Sequence, residues 1–117
     1  MLKLYGYKKC GTCRKAEQFL LQAEIAYEFI DITENPPTRV ELAAIVERAN
    51  VPLSKLFNTS GVQYRELEIK KKLPALSSRE ILALLASNGR LIKRPLITDG
   101  KRATVGFNAE QFATVWG

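Results

Sequence analysis

The sequence predicts an α/β fold in which short strands alternate with amphipathic helices, and three observations near its beginning indicate this. Residues 2–6 have the apolar pattern of a short strand that ends at a glycine. Apolar residues then recur at the i, i+3, i+4, i+7 spacing of one helix face, namely Ala16, Phe19, Leu20 and Ala23. A Cys-x-x-Cys motif, formed by Cys10 and Cys13, lies between the strand and the helix. This position favours a reactive thiol and a redox switch.

Further strand patterns follow along the chain. Residues 27–32 have the pattern of a second strand. Residues 96–98 and 103–105 are predicted to form a hairpin, because the turn dipeptide Asp99-Gly100 lies between them. Asn108 is placed to cap a final helix. The chain therefore begins with a βαβ unit and ends with a ββα unit.

Residues 38–88, between these two units, are predicted to form a helical insertion. Two capping boxes indicate helix starts, one formed by Thr38 with Glu41 and the other by Ser77 with Glu80. The charged stretch between the two resulting helices carries no helix prediction.

This order of elements, βαβ…ββα with a helical insertion around residues 38–88, is that of a thioredoxin-like fold. In that fold a cis-proline begins the third core strand beside the reactive cysteine, and Arg94-Pro95 fits this place. Because most X–Pro bonds are trans, an ordinary proline at a strand start is the alternative. Arg94 is then expected to face Cys10 and pair with a thiolate, sulfenate or oxyanion. The alternative for Arg94 is a surface cation.

The placement of the Cys-x-x-Cys motif predicts different roles for its two thiols. Cys10 lies near the N-cap of the first helix, where free amide groups and the helix dipole stabilise an anion. Nearby positive charges add to this effect, namely Lys8, Lys9, Arg14 and Lys15. We therefore expect the pKa of Cys10 to lie below the usual value of about 8.5, with Cys13 resolving adducts on Cys10. Half of a zinc site, a structural disulfide and an inert buried thiol pair are the alternatives.

Length and composition predict one domain spanning residues 1–117, able to bury about two-thirds of its unfolded surface. No stretch approaches the ~20 apolar residues of a membrane span, and no signal-peptide pattern is present, so we expect a cytoplasmic protein. The net charge of +6 arises in residues 65–102, which hold ten Lys or Arg against four Asp or Glu. This excess favours an anionic substrate or an acidic partner, with a solvated basic face as the alternative. No motif supports direct nucleic-acid binding.

Three segments, residues 5–16, 34–39 and 91–96, resemble the glutaredoxin-like arsenate reductase superfamily, or ArsC/Spx/MgsR family. The first contains Tyr5-Gly6-Tyr7-Lys8-Lys9-Cys10-Gly11-Thr12-Cys13, and the last contains Lys93-Arg94-Pro95-Leu96. The resemblance covers almost the whole chain and implies a nucleophile at Cys10 and an oxyanion-facing Arg94. Arsenate reductases of this type use one essential cysteine and take electrons from glutathione and glutaredoxin.

The chain departs from those arsenate reductases at three positions. They place arginines at three positions around the oxyanion, of which only Arg94 matches, since Asn58 and Phe107 occupy the other two. They usually have Ser at the position of Cys13. Because one guanidinium should bind a multiply charged oxyanion poorly, we do not expect arsenate reduction.

Two functions of different classes remain. The first is a thiol-disulfide reductase, with glutathione, glutaredoxin or thioredoxin as electron donor. The second is an Spx-type redox-sensing regulator that binds the C-terminal domain of the RNA polymerase α subunit. Besides the catalytic Cys10, Cys13 and Arg94, the expected substrate-binding residues are Lys8, Gly11, Thr12, Asn58 and Pro95. We expect a monomer with no metal and no bound cofactor.

Overall fold

The computed structural model describes residues 2–117 and has a four-stranded mixed sheet with the order β2-β1-β3-β4. Its strands are β1 (Leu2–Gly6), β2 (Tyr27–Asp31), β3 (Leu96–Thr98) and β4 (Ala103–Val105). β1 is parallel to β2 and antiparallel to β3, and β3 and β4 form the predicted hairpin. The carboxyl end of β1 therefore leads directly into the Cys-x-x-Cys motif.

The described residues also form six α-helices, namely α1 (Gly11–Gln22), α2 (Arg39–Ala49), α3 (Val62–Glu66), α4 (Ile69–Lys72), α5 (Ser78–Ser87) and α6 (Ala109–Val115). The element order confirms the predicted thioredoxin-like fold, and α2 to α5 form its helical insertion. The sequence prediction omitted α3 and α4. Each has at most five residues, and α3 buries none of them, so neither produces a helical pattern of apolar residues.

Side-chain caps begin the longer helices where the sequence predicts. Thr38 and Glu41 form a reciprocal capping box at α2, and Ser77 and Glu80 form one at α5. Asn108 accepts a hydrogen bond from the first turn of α6. Each cap satisfies amide groups that have no partner within the helix, so these boundaries follow from local sequence.

Each face of the sheet has its own hydrophobic core. On one face α1 and α6 cover the sheet, and the buried side chains are Leu2, Leu4, Ala16, Leu20, Ile97, Phe112 and Trp116. On the other face the insertion packs against Tyr5, Ile32 and Leu96. None of the helices within residues 2–117 is long and apolar enough to cross a membrane.

The end of the insertion is joined to the sheet by close backbone contacts. Gly89 packs against the backbone of Ile32, where an added Cβ would collide with the carbonyl oxygen. Phe57 and Ile92 form an isolated antiparallel bridge. Beside it, the Asn58 N–H donates to the Leu91 carbonyl at 2.8 Å. These contacts hold the segment after Phe57 next to the approach to β3.

Candidate active site

Cys10 is the N-cap residue of α1. Its backbone is extended, with φ −78° and ψ 122°, and the Cys13 N–H donates to its sulfur at 3.3 Å. Its own N–H donates to the Tyr7 carbonyl at 3.3 Å. A cysteine thus takes the place that Ser, Thr, Asp or Asn usually fills, and its sulfur faces the positive end of the helix. The predicted positions of both cysteines are confirmed.

Cys13 lies one helical turn further on and is buried, whereas Cys10 is partly exposed. Gly6, the last residue of β1, leaves the space that Cys13 occupies. A Cβ added at Gly6 would lie 2.7 Å from the Cys13 sulfur. Both cysteines are free thiols, and the partial exposure of Cys10 excludes an inert buried pair. Within residues 2–117, no three His, Cys, Asp or Glu side chains are grouped to hold a metal ion.

The two thiols have opposite pKa shifts. Burial raises the pKa of Cys10, but hydrogen bonds from the Cys13 side chain and N–H and the neighbouring Arg94 outweigh it, so the net shift is downward. For Cys13, burial first and then the hydrogen bond with Cys10 raise the pKa to about 12. Near neutral pH the motif therefore holds a thiolate-prone Cys10 beside a protonated Cys13.

Arg94 lies beside Cys10, as the sequence predicts. The Arg94-Pro95 peptide bond is cis, and Pro95 is buried. The Arg94 guanidinium stacks on the ring of Tyr7, with 4.2 Å from its carbon to the ring centroid. Sequence reasoning did not select Tyr7 as a site residue. Its position between β1 and the motif was the available signal, but an aromatic residue at a strand end is commonly only a packing residue.

Two cavities flank Cys10, and Arg94 lines both. One, of about 480 Å³, brings together Cys10, Thr12, Asn58 and Arg94, and Phe107 also lines it. Thus Asn58 and Phe107, the two positions where the arsenate reductase pattern has arginines, do lie beside the thiol.

The second cavity, of about 490 Å³, is lined by Tyr7, Lys8, Lys9, Cys10, Asp31 and Arg94. The Lys8 ammonium contacts Glu17 at 3.4 Å and the Phe29 ring at 4.1 Å from its centroid. Lys8 therefore borders the site while its charge is shared with Glu17. Gly11, the remaining predicted substrate-binding residue, is exposed and begins α1 with open space at its α-carbon.

Comparison with known proteins identifies the family of this chain. The model of the ArsC family matches residues 5–115. The chain belongs to the ArsC family. This ArsC-family chain is 51% identical over 115 residues to the uncharacterized protein YusI of Bacillus subtilis, with 98% of each chain covered.

Two further relatives show the breadth of the family. The global transcriptional regulator Spx of Streptococcus pyogenes serotype M1 is 30% identical to this ArsC-family chain over 111 residues, covering 95% of the chain and 81% of Spx. The crystal structure of an ArsC family related protein from Bacteroides fragilis superimposes with a TM-score of 0.92 at 40% identity. That match covers 97% of this chain and 95% of the other. One of these relatives is thus named as a transcriptional regulator.

Proposed function

We propose that this ArsC-family protein is a cytoplasmic thiol-disulfide reductase in which Cys10 is the nucleophile and Cys13 the resolving thiol. The observation that supports this most is the difference in exposure and in pKa between the two cysteines of one helical turn. Cys10 is accessible and has a lowered pKa, whereas Cys13 is buried and has a raised pKa. A thiolate is the attacking species in disulfide exchange, and access decides which thiol attacks first.

The proposed reaction transfers two electrons from the cysteine pair to a disulfide. The Cys10 thiolate attacks one sulfur of the substrate, forming a Cys10–substrate disulfide and releasing the other half as a thiolate that takes a proton from water. Cys13 then loses its proton and attacks the Cys10 sulfur, which releases the second half. The products are two thiols and a Cys10–Cys13 disulfide.

The environment of Cys13 changes in the direction that this second step requires. In the reduced protein, the hydrogen bond with Cys10 and the nearby Cys10 charge both contribute to the raised pKa of Cys13. A mixed disulfide on Cys10 carries no negative charge, so both contributions are lost. Arg94 remains and favours the Cys13 thiolate. Resolution is therefore easier after the first step than before it.

Glutathione, glutaredoxin or thioredoxin is the proposed donor that returns the pair to two thiols. Arsenate is a poor candidate substrate, because Arg94 is the only arginine among the residues that line the two cavities beside Cys10. A multiply charged oxyanion removed from water needs several charge-assisted hydrogen bonds.

The test is reaction of the fully reduced protein with 2-hydroxyethyl disulfide, followed by mass spectrometry. The wild-type protein should form an internal disulfide, and Cys13→Ser should accumulate one mixed disulfide on Cys10. Cys10→Ser should form no adduct on the same time scale. Adduct formation on Cys13 in Cys10→Ser, at the rate seen for Cys10, would show that the roles are wrongly assigned.

An Spx-type regulator that binds the RNA polymerase α C-terminal domain is the second candidate. The supporting observation is the 30% identity to the global transcriptional regulator Spx over 95% of this chain. Here the Cys10–Cys13 disulfide would alter a binding face, and turnover would not matter. Calorimetric titration of that domain with the reduced and the oxidised protein tests the idea. Absence of binding in both states would exclude this regulatory function and leave the reductase as the remaining candidate.

A further inference from the structure

A third cavity, of about 520 Å³, lies next to the two that flank Cys10. Its lining includes Tyr7, Asn58, Gln63, Glu66, Arg90 and Arg94. We refer to it as the arginine cavity. It shares Tyr7 and Arg94 with one of the cavities beside Cys10, and Asn58 and Arg94 with the other. Arg94 is thus common to the arginine cavity and to both spaces that reach the thiol.

The lining of the arginine cavity carries more positive than negative charge. The salt bridges found among residues 2–117 join other residues, so neither Arg90 nor Arg94 has a carboxylate partner there. The Arg94 Nε is buried and has no hydrogen-bond partner within the described chain. Glu66 also lines the cavity but forms no ion pair with either arginine. The lining of the cavity therefore carries two guanidinium groups and one carboxylate, and the Cys10 thiolate that Arg94 also stabilises lies outside this lining.

The remaining polar side chains of the lining suit recognition of a small anionic molecule rather than a protein surface. Asn58 and Gln63 contribute side-chain amides, and the Tyr7 ring holds the Arg94 guanidinium by stacking. Thr33 also lines the cavity, but its hydroxyl already donates to Asp31. A planar guanidinium binds a planar carboxylate through two parallel hydrogen bonds, so its orientation also orients the ligand. The volume is within the range of about 300–1,000 Å³ usual for small-molecule sites.

We propose that the arginine cavity binds a carboxylate of a small disulfide substrate while a sulfur of the same substrate meets Cys10 on the other side of Arg94. The proposal rests on the proposed function and narrows its substrate class to low-molecular-weight disulfides that carry a carboxylate. The carboxylate takes no part in the exchange. It positions the substrate, and Arg90, at the exposed rim, selects for it.

Three symmetrical disulfides of similar length test this selection, namely 3,3′-dithiodipropionate, 2-hydroxyethyl disulfide and cystamine, which are anionic, neutral and cationic. The Cys13→Ser protein traps the mixed disulfide, so stopped-time mass spectrometry gives each rate constant. Each rate is divided by that of free 2-mercaptoethanol to remove the intrinsic reactivity of the probe. The expected order is anionic, then neutral, then cationic, with about fivefold to tenfold between the first two.

Two variants, Arg90→Gln and Arg79→Gln, are each made in the Cys13→Ser protein. They distinguish binding of the carboxylate in the arginine cavity from attraction by the overall positive charge of the protein. Arg79 lines a different groove with Arg39, and both substitutions remove one positive charge. Arg90→Gln should reduce the anionic-to-neutral rate ratio about fivefold, whereas Arg79→Gln should leave that ratio as in the parent protein. Equal losses in both variants, or no anionic preference in the parent, would overturn the proposal.

Failure of the proposed function gives a different result. If Cys13→Ser forms no mixed disulfide with any of the three probes, the reductase assignment is wrong and the substrate inference falls with it. If all three react at normalised rates that do not depend on charge, the reductase assignment stands and only the carboxylate site is wrong.

Discussion

The two thiols of the first turn of α1 are three residues apart and lie in opposite surroundings. Cys10 is partly exposed at the N-cap, where Arg94 and the Cys13 N–H favour its thiolate. Cys13 is buried against Gly6, and its pKa is raised to about 12. The motif spacing alone is symmetrical in the two residues. The difference arises because Cys13 lies on the buried face of α1 with Ala16 and Leu20, where the glycine at the end of β1 leaves room for its sulfur.

The largest expected effect is the difference in alkylation rate between the two thiols. Near neutral pH, iodoacetamide should modify Cys10 in the Cys13→Ser protein on the order of 10³-fold faster than it modifies Cys13 in Cys10→Ser. Burial, the largest cause of the raised pKa of Cys13, persists when Cys10 is replaced. Peptide mass spectrometry over time gives both rates. Rates within tenfold of each other would mean that burial does not distinguish the thiols.

Gly6→Ala tests whether the end of β1 creates the space for Cys13. Because the new Cβ would lie 2.7 Å from the Cys13 sulfur, we expect the free energy of unfolding to fall by about 1–3 kcal/mol. Gly11→Ala is the matched control, since a Cβ there meets nothing within 4 Å. Its effect should lie within about 1 kcal/mol of zero. Urea denaturation of the reduced proteins measures both.

The double variant Gly6→Ala/Cys13→Ala sharpens this test. Removal of the Cys13 sulfur removes the closest contact of the added methyl group, so the double variant should be less destabilised than the sum of the two single variants. Strict additivity would mean that the methyl group is accommodated elsewhere, against the contact that the structure shows.

The raised pKa of Cys13 also makes stability depend on pH. In the unfolded chain Cys13 ionises near about pH 8.5, whereas in the folded protein its pKa is about 12. Between these values the folded state binds more protons, so the free energy of unfolding falls as pH rises, by up to about 1.4 kcal/mol per unit. Urea denaturation under reducing conditions at about pH 8 and about pH 9.5 measures the slope.

Cys13→Ala is the control for this slope and should reduce it. Burial also raises the pKa values of Tyr5 and Tyr27, but their unfolded forms ionise near about pH 10 and contribute little over this range. The lowered pKa of Cys10 contributes a slope of the opposite sign below about pH 8.5, so removal of Cys13 should make the measured slope less negative. An unchanged slope in Cys13→Ala would assign the pH dependence to other groups.

Much of the fold and part of the site could be predicted from local sequence. Helix caps such as Thr38 and Asn108 act within a few residues, so their patterns locate helix starts directly. The same holds for Cys10, whose N-cap position follows from the helix pattern after it. Arg94 became a site residue only through the fold prediction, because it is distant from Cys10 along the chain.

The remainder depends on contacts between distant segments. Tyr7 acquires its role by stacking on Arg94, and no periodic pattern of residues in the sequence predicts such a pair. Arg90 lies near the end of the insertion, and contacts between distant segments, such as the packing of Gly89 against Ile32, place it by the arginine cavity. The positive charges next to the motif were predicted to favour the Cys10 thiolate, yet Lys8 pairs with Glu17.

Arg94→Gln tests whether a guanidinium that is distant in sequence but adjacent in space, and not the helix start alone, stabilises the thiolate of Cys10. Its loss should raise the pKa of Cys10, because both the hydrogen-bonding and the charge contribution of Arg94 disappear. Alkylation of Cys10 in Cys13→Ser near neutral pH should then slow by roughly fivefold. Arg94→Lys should show a smaller loss, since it keeps the charge but not the planar group stacked on Tyr7. Arg79→Gln controls for net charge.

The pH dependence of the alkylation rate distinguishes an electrostatic role of Arg94 from a structural one. An electrostatic role moves the midpoint of the rate curve to higher pH and leaves its plateau the same or slightly higher, because a thiolate of higher pKa is somewhat more nucleophilic. A structural role changes the plateau by altering access to Cys10. A midpoint that stays at the parent value in Arg94→Gln would assign the thiolate of Cys10 to the N-cap and the Cys13 hydrogen bonds alone. The asymmetry between the two cysteines would then arise from the hydrogen bonds of the first turn of α1 and from the burial of Cys13 against Gly6.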